Sequence, residues 1–211
     1  MHATSARALK QQRRLARQRG RAINPRLAFL RGFIKHPVMV GSIIPSSTKL
    51  INKMLGPVDW ESTKVFVEYG PGVGTFTRPI LKRMAADATL ITIDTNAEFT
   101  EYLREDIDDE RLIPVTGSAA DVEKILADRG FAHADYVLSG LPFSTLPPGV
   151  GDAIGAATAK VIRPGGAFLV YQFSPKVRDF IAPVFERIER GFEWINVPPA
   201  TLFWAYREPR D

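Results

Sequence analysis

A glycine-rich loop and a distant carboxylate are the residues in this sequence best suited to binding a ligand. Residues 67–75 include Gly70, Gly72 and Gly74, and glycines at the carboxyl end of a first strand let the backbone approach a ligand that side chains would block. Asp94 follows 20 residues after the last of these glycines, where an acid can accept hydrogen bonds from both hydroxyls of a ribose. Together they predict a site for a ribose-bearing cofactor.

Each of these features also has a simpler interpretation. The glycines are spaced G-x-G-x-G, with Thr75 where the nicotinamide-binding fingerprint G-x-G-x-x-G has its third glycine. The loop could therefore be an ordinary strand-to-helix turn. Asp94 could instead cap the helix that starts near Asn96.

An alternation of strand-like and helix-like segments begins at Lys64 and would position these residues. This pattern is typical of an α/β fold in which a parallel sheet is covered by helices on both faces. The end differs, because residues 192–197 and 201–206 resemble two strands joined at Pro198 and Pro199, an antiparallel hairpin that closes the sheet. The other predicted strands are residues 65–69, 90–94, 112–116, 136–139 and 167–173, and the predicted helices are residues 75–86, 96–104, 119–128 and 150–162.

The first quarter of the chain differs in charge from the rest. Residues 1–58 contain 12 of the 28 Lys and Arg residues and none of the 23 Asp and Glu residues, within a net charge of +5. We therefore expect a basic N-terminal helical segment over residues 1–58 and a core domain over residues 59–211. The asymmetry indicates a polyanionic partner for the basic segment, either a membrane surface or a nucleic acid.

Three helices are predicted in the basic segment. They span residues 4–20, residues 25–36, and a stretch from Ser46 or Ser47 through Met54. The apolar stripe of the second helix could lie on a membrane or pack on the core, and the first helix could be a solvated arm.

Composition excludes several classes of protein. The chain has no cysteine, which rules out disulfides and thiolate metal sites, and no metal is expected. No uncharged stretch is long and apolar enough to span a bilayer, and the N-terminus lacks the apolar core of a secretory signal. We expect a cytoplasmic location.

Four motifs resemble those of the class I S-adenosylmethionine-dependent methyltransferases. They are the glycine loop after Glu68, Asp94, residues 117–119 and residues 163–166, in the family's order. The resemblance implies a Rossmann-like, seven-stranded, mostly parallel sheet with an antiparallel last strand, and S-adenosylmethionine as cofactor. The implied cofactor residues are Glu68, Gly70 and Gly72 at the methionine part, Asp94 at the ribose, Ser118 and Ala119 at the adenine, and also Gly74, Thr75, Thr95 and Ser139.

Residues 139–143, Ser-Gly-Leu-Pro-Phe, resemble the Asn-Leu-Pro-Tyr signature of the ribosomal adenine dimethylases, with Gly140 at the Asn position. In those enzymes the Asn carbonyl accepts a hydrogen bond from a weakly nucleophilic aromatic amine. Gly140 has no side-chain acceptor, which favours an alkyl amine, already a good nucleophile once deprotonated. The segment could also be a tight loop whose Pro and Gly only set the geometry.

A further resemblance, to the bacterial phospholipid N-methyltransferases, covers almost the whole chain. These soluble enzymes convert phosphatidylethanolamine stepwise towards phosphatidylcholine. The resemblance implies that the N-terminal helices contact an anionic membrane, so that the protein is peripheral on its inner face, and that Ser42, Pro45 and Ser46 fold over the cofactor. The matching segments are residues 33–37, 40–47, 139–143 and 197–200.

Five residues are candidates for binding the lipid substrate. Phe143 and Tyr171 lie at carboxyl ends of predicted strands and could form an aromatic wall around a methylated ammonium group. Either could equally be a core aromatic. Arg31 and Lys35 could hold the lipid phosphate, and Leu141 is the fifth candidate.

His36 and Tyr171 are the candidate catalytic residues. His36 could take the amine proton, although Pro37 beside it favours a structural role over that one. Three functions remain open: phospholipid N-methylation, RNA adenine methylation with the arginine-rich arm on phosphates, and methylation of a small-molecule amine. Gly140 favours the first, and makes nucleic acid an unlikely partner.

Overall fold

The computed structural model of the protein describes residues 48–172, 176–194 and 199–208. The described residues all belong to one compact unit. The helices predicted over residues 4–20 and 25–36, and the predicted start of the third helix at Ser46 or Ser47, lie outside the described residues.

Strands and helices alternate along the described chain as the sequence predicts. The strands are β1 Val65–Tyr69, β2 Thr89–Asp94, β3 Leu112–Thr116, β4 Ala134–Ser139, β5 Ile162–Gln172, β6 Arg187–Glu193 and β7 Ala200–Tyr206. The α-helices are α1 Thr48–Leu55, α2 Thr77–Arg83, α3 Ala97–Asp106, α4 Val122–Ala127, α5 Val150–Val161 and α6 Val177–Ile181. Short 3-10 helices span Ala119–Asp121 and Phe143–Thr145.

The described strands form one sheet in the order β3-β2-β1-β4-β5-β7-β6. Strands β1 to β5 pair in parallel, and β7 lies antiparallel between β5 and β6. The predicted fold, a mostly parallel sheet with an antiparallel last strand, is confirmed. Strand order reverses between β1 and β4, and open sheets of this kind bind ligands outside the carboxyl ends of the strands at that point.

Helix α1 packs on the sheet. Its side chains of Leu50, Ile51, Met54 and Leu55 are buried, and the indole nitrogen of Trp204 in β7 donates to the Met54 carbonyl at 3.0 Å. This helix is therefore part of the compact unit, although its sequence lies within residues 1–58, the predicted basic segment. The functional division between residues 58 and 59 stays a prediction.

The closing hairpin differs from its prediction in one arm. Strand β6 starts at Arg187 and not at residue 192, because its pairing partner β7 sets the register and matches Arg187 with Tyr206. Residues 195–197 of the predicted arm lie outside the described residues. The β6 sequence RIERGFE contains four charged residues, so hydrophobic alternation does not mark this edge strand.

Two smaller differences follow from tertiary context. Strand β5 starts at Ile162 and not at residue 167, with a register shift where Ala134 pairs with Ile162 and Tyr136 with Ala167. Helix α6 was not predicted. No helix within the three described ranges is long and apolar enough to cross a membrane.

Candidate active site

The glycine loop joins β1 to α2 at the carboxyl edge of the sheet. Gly70, Gly72 and Gly74 have φ values of 63°, 52° and 83°, a region that favours glycine. A Cβ added to Gly72 would meet no atom within 4 Å, whereas one added to Gly70 would lie 2.9 Å from the Leu141 side chain. The loop therefore packs closely on the residues after β4 at Gly70 and leaves open space at Gly72.

Glu68 is a buried carboxyl group directly below this loop, with 3% of its surface exposed. The Thr77 hydroxyl donates to its Oε2 at 2.7 Å. Burial raises the pKa of Glu68 to about 8; the bond from Thr77 opposes this, and the negative charge of Asp94 adds to it. Glu68 therefore keeps its proton at neutral pH until a cation comes near it.

Asp94 ends β2 and keeps part of its surface exposed. Burial raises the pKa of Asp94, and the backbone amides of Asn96 and Gly72 oppose that shift, the Asn96 amide donating at 2.9 Å. The helix cap is Asn96, whose side chain accepts from the Glu98 amide. The interpretation of Asp94 as the cap of this helix is therefore wrong, and its carboxylate instead joins the glycine loop to β2.

The segment after β3 forms the adjacent part of the edge. The Gly117 amide donates to the Asp94 carbonyl at 2.9 Å, and Ser118 caps the following 3-10 helix by accepting from the Ala120 amide. Ala119 is buried and Ser118 is half-buried. Of the remaining predicted cofactor residues, Thr75 is half-buried and Thr95 is exposed.

The loop after β4 is held from both sides. The buried Ser139 accepts from the Leu141 amide at 3.2 Å, and the Gln172 side chain donates to the Leu141 carbonyl. With Leu141 also packed over Gly70, β1, β4 and β5 are joined at a single residue. The structure therefore brings the predicted substrate residue Leu141 next to the predicted cofactor loop.

Tyr171 in β5 lies over Gly140. A Cβ added to Gly140 would stand 2.8 Å from Cζ of Tyr171 and closer still to its hydroxyl oxygen. The ring stacks on Phe76 with centroids 4.8 Å apart. Burial raises the pKa of the Tyr171 hydroxyl, and the Glu68 charge raises it further. The phenol therefore stays neutral, so its oxygen can accept a hydrogen bond but does not act as a phenolate base.

Phe143 occupies a different environment from Tyr171. It is 2% exposed, and its ring stacks on Phe180 with centroids 5.7 Å apart. Phe143 is thus a core residue in this structure, which is the alternative that the sequence left open. Its role in an aromatic substrate wall stays a prediction, and it would require the ring to become exposed.

Six predicted site residues lie outside the described part of the chain: Arg31, Lys35, His36, Ser42, Pro45 and Ser46. Their predicted roles in substrate binding, proton transfer and covering the cofactor remain predictions.

Sequence reasoning missed three residues of the site. Phe76 and Thr77 follow the glycine loop and contact Tyr171 and Glu68. Thr77 could have been found, since a hydroxyl at the start of α2 lies close to the end of β1. Nothing local marks Gln172, because its bond to the Leu141 carbonyl spans 31 residues.

Comparison with known proteins identifies the family. A methyltransferase-domain family matches residues 66–166, the stretch that carries the glycine loop, Asp94 and Gly140. The chain is also 32% identical over 179 residues to an ornithine lipid N-methyltransferase of Singulisphaera acidiphila, covering 84% of this chain and 93% of that protein. The chain belongs to the class I S-adenosylmethionine-dependent methyltransferases. It is an enzyme, and S-adenosylmethionine is its cofactor.

Solved structures of other methyltransferases share the fold at lower identity. The O-methyltransferase from Bacillus cereus, solved with S-adenosylhomocysteine, is 11% identical, with a TM-score of 0.62 over 88% of this chain and 93% of that one. A 16S rRNA guanine methyltransferase from T. thermophilus, solved with S-adenosylmethionine and guanosine, is 19% identical, with a TM-score of 0.59 over 82% of this chain and 45% of that one. Such different acceptors on one fold mean that the fold does not select the acceptor.

The described residues of the methyltransferase fit its cofactor. The open space beside the Gly72 backbone suits the methionine part of the cofactor, and the partly exposed Asp94 carboxylate suits its ribose. The Glu68 carboxyl becomes a counter-charge when a cation lowers its pKa. When bound, S-adenosylmethionine supplies an electrophilic methyl group on a positively charged sulfur. Among the described residues, no group of His, Asp and Glu is arranged to hold a metal ion.

Proposed function

We propose that this methyltransferase N-methylates the amino head group of a membrane lipid, namely phosphatidylethanolamine and its mono- and dimethyl derivatives, towards phosphatidylcholine. The observation that carries the proposal is the 32% identity to a lipid N-methyltransferase over 84% of the chain. This similarity extends well beyond residues 66–166, the part matched by the general methyltransferase domain.

The contact between Gly140 and Tyr171 supports an alkyl amine as acceptor. Since the Tyr171 ring and hydroxyl occupy the space of any side chain at position 140, an Asn amide cannot be placed there without moving the tyrosine. An aromatic amine such as that of adenine would lack the side-chain carbonyl described for the adenine dimethylases. An alkyl amine needs only to arrive deprotonated and correctly oriented, which makes methylation of RNA adenine the weaker alternative.

In the proposed reaction, the lone pair of the neutral amine attacks the methyl carbon in line as the carbon–sulfur bond breaks. The products are a methylated ammonium group and S-adenosylhomocysteine, and the ammonium then loses a proton to water before the next cycle. While the amine still carries an N–H, which holds for the unmethylated and monomethyl lipids, the neutral Tyr171 hydroxyl can accept a hydrogen bond from it and so orient the lone pair. Phe76, stacked beneath Tyr171, limits the movement of its ring.

A second substrate within the same chemistry is the amine of an ornithine lipid. The name of the relative from Singulisphaera acidiphila favours it. Both lipids present a primary alkyl amine at a bilayer surface, so the features of the described site suit either.

The basic N-terminal segment supports a peripheral position on the inner, anionic face of the membrane. Near such a surface each Lys or Arg contributes about 1 kcal/mol of binding free energy, and residues 1–58 contain twelve of them without an acidic residue. The proposed attachment is electrostatic and therefore depends on salt concentration.

The proposal is tested by incubating the purified protein with methyl-labelled cofactor and a panel of acceptors. The panel contains phosphatidylethanolamine, its monomethyl and dimethyl forms, ornithine lipid, an RNA with accessible adenines, and small primary amines. Label in the phosphatidylethanolamine series supports the proposal, and label only in ornithine lipid shifts the assignment to the second substrate. Label in RNA or in small amines, with none in any lipid, overturns it.

A further inference from the structure

The β6–β7 hairpin extends past the edge of the sheet that carries the site. One row across the sheet joins Ser139, Val170, Phe203 and Arg190. From that row β6 continues for three residues to Glu193, in the same direction as the carboxyl ends of the parallel strands. At about 3.3 Å per residue, Glu193 lies about 10 Å beyond the level of Ser139, and Trp194 follows it. The carboxyl end of β6 therefore lies beyond the edge at which cofactor and acceptor are proposed to meet.

The tip carries a large exposed aromatic side chain. Trp194 is 75% exposed, and it is the only large hydrophobic side chain among the described residues that is largely exposed to solvent. Its ring packs on Phe192 with centroids 4.1 Å apart. An indole ring that is exposed to water is energetically costly. At a membrane–water interface the ring is buried while its N–H stays near polar groups, which is favourable.

Positive charge adjoins this aromatic pair. The Lys53 ammonium group donates to the Phe192 carbonyl at 2.5 Å, which holds this side chain beside the two rings. Lys49 is exposed on the same helix, which has no acidic residue. The acid Glu193 stands between the two rings in the chain but is buried, so two lysines and one acid adjoin the exposed ring. This excess of positive charge beside an apolar ring suits the surface of an anionic bilayer.

We propose that Trp194, Phe192, Lys53 and Lys49 form a membrane-docking surface, here called the hairpin-tip surface, that seats the sheet's carboxyl edge on an anionic lipid bilayer. The inference rests on the proposed lipid substrate, because a head group in a bilayer is reached only if this edge faces the membrane. It adds a second contact, within the catalytic fold, to the one proposed for the basic N-terminal segment.

The test uses the full-length protein and vesicles of phosphatidylglycerol with phosphatidylethanolamine, and neutral phosphatidylcholine vesicles for comparison. In wild type, tryptophan emission shifts to the blue on addition of anionic vesicles, and lipids with brominated acyl chains quench it. In W194F, which keeps the buried Trp204 and the partly buried Trp60, both changes are lost. Equal shifts and quenching in wild type and W194F would overturn the proposal.

Partitioning into vesicles gives the independent measurement. W194A lowers the partition coefficient about tenfold for both vesicle types, since it removes apolar contact. K53Q lowers it about fivefold for anionic vesicles alone. The matched control is W194A/H133W, which restores an exposed indole at His133, just before β4 at the opposite edge of the sheet; it does not recover binding. Recovery in this variant, or an unchanged partition coefficient in W194A, would contradict docking through the tip.

Cofactor affinity, measured by calorimetry, checks that each variant is folded. Methyl transfer to lipid in detergent micelles separates the two hypotheses. Suppose that W194A loses vesicle binding and that wild type methylates no lipid, in vesicles or in micelles. This result would support the docking surface and reject the proposed substrate. Lipid methylation with unaltered vesicle binding in W194A would retain the substrate and remove the docking surface.

Discussion

The Tyr171 ring and hydroxyl fill the space that a side chain at Gly140 would need: a Cβ built on Gly140 comes within 2.8 Å of Tyr171 Cζ. Gly140 directly follows β4, Tyr171 lies in the adjacent strand β5, and Phe76 stacks on the ring. A residue larger than glycine at position 140 would therefore force either that residue or Tyr171 to shift. This relationship makes Tyr171 a candidate for orienting the acceptor.

We predict that G140A lowers the rate of methyl transfer by about tenfold or more, because a displacement near 1 Å in an active site has effects of that size. The cofactor dissociation constant should change little. Single-turnover kinetics with the lipid that the enzyme methylates gives the transfer rate, and calorimetry gives the cofactor dissociation constant. G56A is the control glycine substitution, since its added Cβ would lie no closer than 3.3 Å to any atom. A G140A enzyme as fast as G56A would refute the steric argument.

A double-mutant cycle tests the same contact. Y171F removes the hydroxyl oxygen, which would be the nearest atom to the new Cβ, so the loss in Y171F/G140A should be smaller than the product of the two single losses. Strictly multiplicative losses would mean that the two residues act independently.

We predict that binding of the cationic cofactor releases close to one proton from Glu68 at pH 7. The pKa of Glu68 is raised to about 8 by burial, so the free enzyme is mostly protonated there, and a nearby positive charge favours the carboxylate. Calorimetry in buffers of different ionisation enthalpy counts the protons. S-adenosylhomocysteine, which lacks the sulfonium charge, should release fewer. In E68Q the difference between the two ligands should disappear; if it persists, the proton comes from another group.

The raised pKa of Glu68 also makes stability depend on pH. The folded pKa of about 8 exceeds the ordinary value of 4.5, so the folded protein holds a proton that the unfolded chain releases between these values. The contribution of Glu68 is complete below about pH 4.5 and falls as the pH rises to about 8. Urea unfolding of the cofactor-free enzyme should therefore show stability decreasing over this interval more steeply in wild type than in E68Q.

We predict that D94N weakens cofactor binding by about 10- to 100-fold, as expected for losing charged hydrogen bonds. The carboxylate is predicted to hold the ribose, and it also interacts with the Gly72 amide. D87N is the matched control, because Asp87 is an exposed acid that pairs with Lys64 at 2.6 Å. Calorimetry gives both dissociation constants. Affinities within twofold of each other would exclude Asp94 as a principal cofactor contact.

We predict that D135A destabilises the protein by about 2–4 kcal/mol and leaves the cofactor dissociation constant unchanged. Asp135 is buried at the amino end of β4, where it accepts from the Lys64 and Val65 amides at 2.8 Å each and pairs with Arg163. Burial alone would raise the pKa of Asp135, but these donors outweigh it and hold the pKa below its ordinary value. Its stabilisation is therefore lost in acid, as the pH falls through that lowered pKa.

The control for D135A is D128A. Asp128 forms an exposed pair with Lys124 one helical turn away, and such surface pairs contribute less than about 1 kcal/mol. Urea denaturation at neutral pH measures both variants. A D135A protein as stable as D128A would show that the contacts of Asp135 with the start of β1 and with Arg163 in β5 do not hold these strands together.

Sequence alone determined the alternation of strands and helices, the glycine loop and the acid that follows it. Strands β1 and β3 have the predicted bounds. For β1 the reason is that all five of its residues are buried, so its largely apolar run is a local property of the sequence. The loop glycines were recognisable since positive φ is also a local requirement. Family motifs in the right order supplied the cofactor.

Only the tertiary structure decided how the acceptor side of the site is built. Tyr171 and Phe143 were equal candidates for an aromatic wall, and the structure placed Tyr171 over Gly140 and Phe143 in the core. The same holds for Gln172 at the Leu141 carbonyl and for Trp194 beyond the sheet edge. These positions depend on the register between strands far apart in sequence, and a one-residue slip in register would turn every side chain to the other face.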